Sequence, residues 1–333
     1  PPAAGGDAWL DTPLRPNPKL RVGFLPNGLR YVVLPNASPP GRFEAHMEIH
    51  AGSVEEREHE QGIAHLVEHV TFLGSRRREA LLGTGARSNA YTDFHHTVFH
   101  VHAPFFEDQQ VGLDGLEDAP APAGERPLDG PGSLLAQTLD ALAEVAFEPE
   151  FLPSRIDKER AAVASEAQTM NGMEYRVDCA LLRHLHAENA LGSRFPIGCM
   201  EQVARWSRAQ LLEYWQRHYF PANATLYVVG DFEQCAGGEG SQRVVELIRS
   251  IFARVPPGQR SSPEQRSAGT DPFADPSLPP HAHVSLHPDQ KRPPVEHAWG
   301  TGATDAHPSF PGVDVFQHRN LQLFQLSVFS KTP

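Results

Sequence analysis

No run of 18 or more apolar residues occurs in this sequence, so no segment is long enough to cross a bilayer as a helix. Cysteine is nearly as scarce. Cys179, Cys199 and Cys235 are odd in number and 20 and 36 residues apart, with no close C-x-x-C pair. That argues against a disulfide framework or a thiolate zinc site and favours a reducing compartment. Positive charge is also short, the formal net charge being −12. An acidic chain lacks the basic surface that nucleic acid demands, but it suits a cationic peptide partner. The opening residues, PPAAGGDAWLDTPLRPN, have neither the basic start nor the apolar stretch of a secretory signal. Residues 1–19 read as an N-terminal extension, and a targeting segment removed upstream is compatible with them.

The 333 residues, 40% hydrophobic and 21% charged, suffice for two ordinary domains or a large one with a tail. The 31 prolines divide folded blocks from open ones. Two β-rich runs in LRVGFLPNGLRYVVL, joined by Pro26-Asn27-Gly28, predict a hairpin, and a third strand alternates from Phe43 towards Gly52. A histidine-bearing helix is expected from Ile63 to Phe72, stopping near Gly74, and SNAYTDFHHTVFHVH (88–102) reads as a strand or strand pair. Residues 104–133 are a Pro/Gly-rich insertion. Helices follow over 134–147 and onward from Pro153, then in LLRHLHAEN and ARWSRAQLLEYWQRHYF. ATLYVVGDF is a buried strand and RVVELIRSIFARV an amphipathic helix. From 256 to 312 the composition is that of a linker, after which LQLFQLSVFSKTP begins a new strand. A strand with nothing after it is a poor domain end, so the chain reads as part of a longer protein.

Within GIAHLVEHVTFLGS, His65 and His69 are four apart and lie on one face of a helix, one turn from each other. Glu68, three after His65, projects on the same side and is placed to hold a water. A hydrolytic zinc site needs three protein ligands and an open position; this motif supplies two ligands and a base. Ile63, Leu66, Val67, Val70 and Phe72 around it predict a buried helix, where histidines need partners. The third ligand is expected from a second helix. Glu159 and Glu166, seven apart and therefore on one face, flank Ala161, Ala162, Val163 and Ala164, small residues suited to close packing. Glu166 is the better candidate of the two. His95, His96, His100 and His102 are expected on a strand without a carboxylate base at useful spacing, and read as structural. His184 and His186 are two apart on a helix and do not face each other; His281 and His283 fall in the linker.

These residues resemble the M16 family of zinc metallopeptidases (the pitrilysin/insulinase type), with H-x-x-E-H at His65-Leu-Val-Glu68-His69 and a downstream E-x6-E at Glu159 through Glu166. The interval from His69 to Glu166, 97 residues, is longer than usual for the family, and the 104–133 insertion accounts for the excess. The phrases FLGSRRREALLGTGARSNAYTDFHHTVFHVH, MNGMEYRVDCALLRHLHAEN, RFPIG and YFPANATLYVVGD resemble family members that process precursors imported into chloroplasts. The resemblance covers about residues 20–255, with echoes in PPVEHAWG and FQHRNLQLFQLSVFSKTP.

The resemblance implies an α/β fold, a two-layer sandwich whose mixed, largely antiparallel sheet is packed by helices. It implies one Zn2+ held by His65, His69 and Glu166, with Glu68 as general base and Glu159 assisting by orienting a ligand or balancing charge. Asn89, Ala90 and Tyr91 match an edge strand whose backbone pairs with an extended substrate. The implied substrates are precursor proteins with basic transit peptides, and the implied location is the chloroplast stroma. Residues 20–255 would be the catalytic unit and 313–333 the start of a second M16-like unit. In the family that second half supplies an Arg/Tyr pair, so residues 1–333 alone are expected to bind zinc and cleave poorly. A non-catalytic peptide-binding or scaffold subunit and a general peptide-degrading peptidase are the competing readings; retention of His65, Glu68, His69 and Glu166 disfavours the former.

Overall fold

Two strands, β1 (Arg21–Phe24) and β2 (Arg30–Pro35), form the expected antiparallel hairpin, Arg21 opposite Val33. Its turn uses the left-handed backbone of Gly28 (φ 93°). The buried Asn27 amide donates to the carbonyls of Phe252 (2.8 Å) and Val255 (2.9 Å), tying the turn to the end of the chain's described part. β3 (Arg42–Ile49) follows, then helix α1 (Ile63–Gly74) and the short α2 (Arg76–Glu79). β4 (Arg87–Thr92) and β5 (Thr97–Pro104) are a pair, so the alternating stretch over 88–102 folds back on itself. The structure, a computed structural model, describes residues 17–105, 133–186, 189–235 and 239–258. The expected extension (1–19), insertion (104–133) and linker (256–312) lie outside the described residues except at their margins, where Pro104 ends β5 and Ser133 caps α3, and the expected strand at 313–333 lies wholly outside them.

Helices α3 (Leu134–Phe147), α4 (Pro153–Met170) and α5 (Met173–Leu185) come next, α4 opening with Pro153 at its first position. α5 begins earlier than LLRHLHAEN implied, because Asn171 and Gly172 end α4 and a new helix starts directly after them. α6 (Met200–Val203) is one turn, and α7 (Arg208–His218) starts after Ala204-Arg-Trp rather than with it. The cause is a capping box. The Ser207 hydroxyl accepts from Gln210 N–H, and the Gln210 side chain accepts from Ser207 N–H. β6 (Ala224–Gly230), α8 (Phe232–Cys235) and α9 (Gly240–Phe252) complete the described chain.

The strands form one six-stranded sheet in the order β1-β2-β6-β3-β5-β4, with β2 and β6 parallel and every other pair antiparallel. Alternation decides its two faces. Phe43, Ala45, Met47 and Ile49 of β3, with Phe99, Val101 and Ala103 of β5, are buried together with the helices in one core. Glu44, His46 and Glu48, which alternate with them, remain partly or fully exposed. The fold is thus the α/β two-layer arrangement with a mixed, largely antiparallel sheet. β4 is the edge strand beside the site described next.

Candidate active site

α1 is held at both ends by side chains from outside it. Its N-cap, Gly62, has φ 91° and no side chain to offer the free N–H groups of the first turn. The buried Glu56 carboxylate takes that role, accepting from Gly62 N–H and Ala64 N–H at 2.9 Å each. At the other end Arg78 donates to the Phe72 carbonyl (2.9 Å) while its guanidinium sits over the Phe72 ring. Ile63, Leu66, Val67 and Val70 are at most 1% exposed. At about 1.5–3 kcal/mol for each fully buried large aliphatic side chain, these residues fix which face of α1 meets the core and therefore which way His65, Glu68 and His69 point.

The α4 helix crosses beside them. His65 Nε2 and His69 Nε2 are 3.2 Å apart, and Glu166 Oε2 lies 3.6 Å from the first and 3.5 Å from the second. A triangle with those sides has its centre about 2.0 Å from each corner, the length of zinc bonds to imidazole nitrogen and carboxylate oxygen (about 2.0–2.2 Å). The three donors therefore fit a zinc ion. Glu159 lies one layer behind. It is 1% exposed, with Oε2 3.5 Å from His69 Nδ1 and Oε1 3.3 Å from Arg155. The approach to His69 is not a hydrogen bond, since His69 Nδ1 is buried without a hydrogen-bond partner. His65 Nδ1 is buried without a hydrogen-bond partner.

Donor atoms of His65, Glu68 and His69 all lie within 4.8 Å of one another, and Glu68 Oε2 is 3.9 Å from His65 Nε2, so Glu68 stands within reach of the same two histidines as Glu166. Burial pushes the Glu68 carboxyl up to about 8; the Thr92 hydroxyl, 3.3 Å away, works against this and Glu166 adds to it. Burial, then the His69 ring, pushes His65 down to about 3, which leaves its ring neutral with a free lone pair at ordinary pH. A bound cation reverses the balance for the carboxyl and favours its ionised form. Thr92, which directly follows Asn89-Ala90-Tyr91, carries no spacing signal in the sequence that ties it to Glu68.

Asn89, Ala90 and Tyr91 lie on β4, at the margin of the sheet, with Tyr91 46% exposed. Their partners in β5 are His100, Phe99 and Val98, and among the described residues no strand pairs with the outer side of β4. Two histidine placements differ from expectation. His95 and His96 are not on a strand but in the turn between β4 and β5, where Asp93 accepts from both their N–H groups. His186 caps the end of α5. His100 and His102 are on β5, and His102 Nε2 accepts from Arg42 (2.8 Å). Of the small residues between the two glutamates, Val163 is buried while Ala161 and Ala162 are exposed, so the packing stripe on α4 is narrower than the composition implied.

An H-x-x-E-H helix faced by a carboxylate from a second helix, on a two-layer α/β fold, is the arrangement of the inverted-motif metallopeptidases. The chain belongs to the M16 peptidase family: residues 31–194 match Insulinase (Peptidase family M16), and residues 205–319 match the Peptidase M16 inactive domain. It is 45% identical to the chloroplastic stromal processing peptidase of Arabidopsis thaliana over 98% of its own length and 25% of that protein. It is 29% identical to the probable zinc protease PqqL of Escherichia coli, over 72% of this chain and 23% of that one. The crystal structure of the periplasmic protease PqqL superposes with a TM-score of 0.62, at 29% identity, covering 75% of this chain and 25% of that one. The chain spans about a quarter of the length of the curated relatives it matches.

Proposed function

We propose that this chain is the metal-bearing portion of a zinc endopeptidase that removes transit peptides from precursor proteins in the chloroplast stroma. The observation that carries the reading is the donor triangle of His65, His69 and Glu166, with Glu68 beside it. The likeness to stromal processing peptidases along almost the whole chain supports the substrate class and the location. In the domain reading, residues 20–255 form the catalytic unit, 256–312 a linker and 313–333 the start of a second M16-like unit, although the match of 205–319 to the Peptidase M16 inactive domain runs across the boundaries at 255/256 and 312/313.

Zinc, when bound, supplies a Lewis acid at the scissile carbonyl and acidifies the attacking water. Glu68 takes the proton from that water as the new C–O bond forms, and returns it to the leaving amine as the C–N bond breaks. Glu159 stands behind the His69 ring, 3.5 Å from Nδ1. The outer edge of β4 at Asn89, Ala90 and Tyr91 pairs with the substrate backbone as an added strand, which positions the peptide bond without reading its side chains. The chain's formal charge of −12 favours a basic substrate segment.

The deciding experiment is Glu68→Gln in the full-length protein, with zinc content and precursor cleavage measured together. Zinc retained and cleavage abolished are expected. Zinc-free wild-type protein, or cleavage undiminished by the substitution, overturns the proposal. Cleavage at a defined precursor junction rather than throughout short peptides separates processing from general peptide degradation.

A further inference from the structure

Arg78 carries a charge that the zinc chemistry does not need. Its side chain is half-buried; Nε donates to the Phe72 carbonyl at 2.9 Å and Nη1 to Ser88 Oγ at 3.4 Å. A guanidinium has five N–H donors, yet among the described residues Nη2 has no acceptor and no carboxylate stands within ion-pair distance. Burial holds its pKa below the ordinary arginine value; Glu79 opposes this and Arg155, a second guanidinium, adds to it. A carboxylate brought to this cation would offset the cost of burying it. Ser88 shows where such a carboxylate would come from. Ser88, Ala90 and Thr92 are the half-buried positions of β4, alternating with exposed Arg87, Asn89 and Tyr91. They lie on the helix side of the sheet, since Ser88 meets Arg78 and Thr92 meets Glu68 at 3.3 Å. Ser88 is four residues before Thr92, about 13 Å along a strand. A residue added opposite Ser88, on the outer side of β4, would have its Cβ about 4.5–5.5 Å from that of Ser88 and on the same face. A glutamate there spans the distance to the guanidinium that touches Ser88.

We propose that Arg78 is a specificity-determining residue, which receives an acidic side chain of the substrate about four residues from the one opposite Thr92, on the mature side of the cleavage junction. The carboxylate accepts charge-assisted hydrogen bonds from the guanidinium that a neutral amide of the same shape cannot match. Alternation limits the effect to one position. The residues on either side of it point to the other face, with Asn89 and Tyr91, away from Arg78. A slip of one residue would turn the carboxylate to that face as well, so the contact holds the register of the peptide against Glu68. Transit peptides are poor in acidic residues, which puts the carboxylate beyond the junction. The substrate then runs antiparallel to β4, its transit segment towards Asp93 and its mature segment towards Arg78.

This inference rests on the reading of β4 as the strand that pairs with substrate. Its test uses full-length, zinc-loaded protein and peptides spanning a precursor junction, in which a single Glu or Gln is walked one position at a time through both sides. In the wild type, kcat/KM is expected to favour Glu over Gln by about fivefold at one mature-side position and at neither of its neighbours. Arg78→Gln brings that ratio to about one, and Arg78→Lys keeps part of it. Because Arg78 also holds the end of α1, the ratio within each variant is read rather than the rate. If Arg78→Gln does not fold, the wild-type ratio is followed from about 0.05 to 0.5 M salt, where it should fall towards one. Absence of a Glu preference on the mature side overturns the inference. So does a preference that Arg78→Gln leaves intact, that adjacent positions share equally, or that salt does not change. The Gln peptides, N-methylated in alternate registers, report on the strand pairing. Equal effects of both registers would overturn that pairing, and this inference with it; unequal effects without a Glu preference would overturn this inference alone.

Discussion

Gly62 and Gly198 meet backbone to backbone. A Cβ on Gly62 would lie 2.8 Å from the Gly198 Cα, and one on Gly198 would lie 2.3 Å from the Gly62 Cα. Both have positive φ, 91° and 74°. Because Gly62 is the N-cap of α1, this contact seats the helix that carries His65, Glu68 and His69 against the loop before α6. Gly198→Ala is expected to cost about 1–3 kcal/mol in stability and to weaken zinc binding, since the first turn of α1 must move. Denaturant unfolding of zinc-free protein and competition with a chromophoric chelator measure the two effects separately. Wild-type values in both would show that the contact is dispensable.

The donor geometry ranks the two glutamates of α4. Glu166→Gln removes a corner of the triangle and is expected to abolish tight zinc binding. Glu159→Gln, which leaves the three donors in place, is expected to weaken it by about 10–100-fold. Chelator competition on both variants decides the order. The reverse ranking would exchange the roles given to them.

Zinc removal should destabilise the protein without unfolding it. At free zinc about a hundred times Kd, binding adds about 2.7 kcal/mol to stability, and a chelator takes that away. The fold should survive because Ile63, Leu66, Val67 and Val70 anchor α1 in the core whether or not an ion is present. Far-UV circular dichroism with and without chelator checks this; collapse of the helical signal would contradict it.

The β4–β5 turn should show a pH signature. Burial opposes ionisation of Asp93, but hydrogen bonds from the His96 ring and from the His96 and His95 N–H groups outweigh it and hold its carboxyl below the usual range. The hydrogen bond to Asp93 raises His96. The Asp93 contribution is present above its ordinary 3.8 and is lost as pH falls through the depressed folded value. That of His96 is present in full below its ordinary 6.5 and is lost as pH rises through the raised folded value. The pair therefore stabilises most between about pH 4 and 6.5. Both side chains are partly exposed, so His96→Gln should cost under about 1 kcal/mol, more at pH 5.5 than at pH 8.5 in denaturant titrations. A penalty independent of pH would exclude the ion pair as its source.

Backbone pairing at β4 makes a prediction for substrate rather than enzyme. Peptides N-methylated at alternate residues across the cleavage junction lose main-chain donors while keeping their side chains. One of the two methylation registers should raise KM strongly and the other little. Equal effects from both registers would mean that the peptide is not bound as an added strand.

The clustering of His65, His69 and Glu166 was legible because helical spacing converts sequence intervals directly into distance. Histidines four apart and glutamates seven apart share a face whatever the rest of the fold does. Glu56 and Thr92 were not legible, because both act across a loop or between elements where no interval fixes a distance. His95 and His96 were misplaced because alternation of Thr, His, Val and Phe runs through the turn unbroken. Asp93, two and three residues before them, was the available signal, since an Asp side chain bonds the backbone just ahead of it. The strand set could be read from β-rich runs and turn residues. The sheet order could not, because the place of β6 depends on partners far away along the chain.

That place has a consequence for how the molecule is made. Ala224–Gly230 lies between β2 and β3 and pairs with both. Until it emerges during synthesis, β1–β2 and β3–β5–β4 are separate ribbons, each with an open inner edge of the kind that invites wrong partners. His65, Glu68, His69 and Glu166 have all been translated by then. The proposed zinc ligands therefore exist on the nascent chain before the sheet beneath them can close, and an ion captured early would cross-link α1 to α4 while the last strand is still to come.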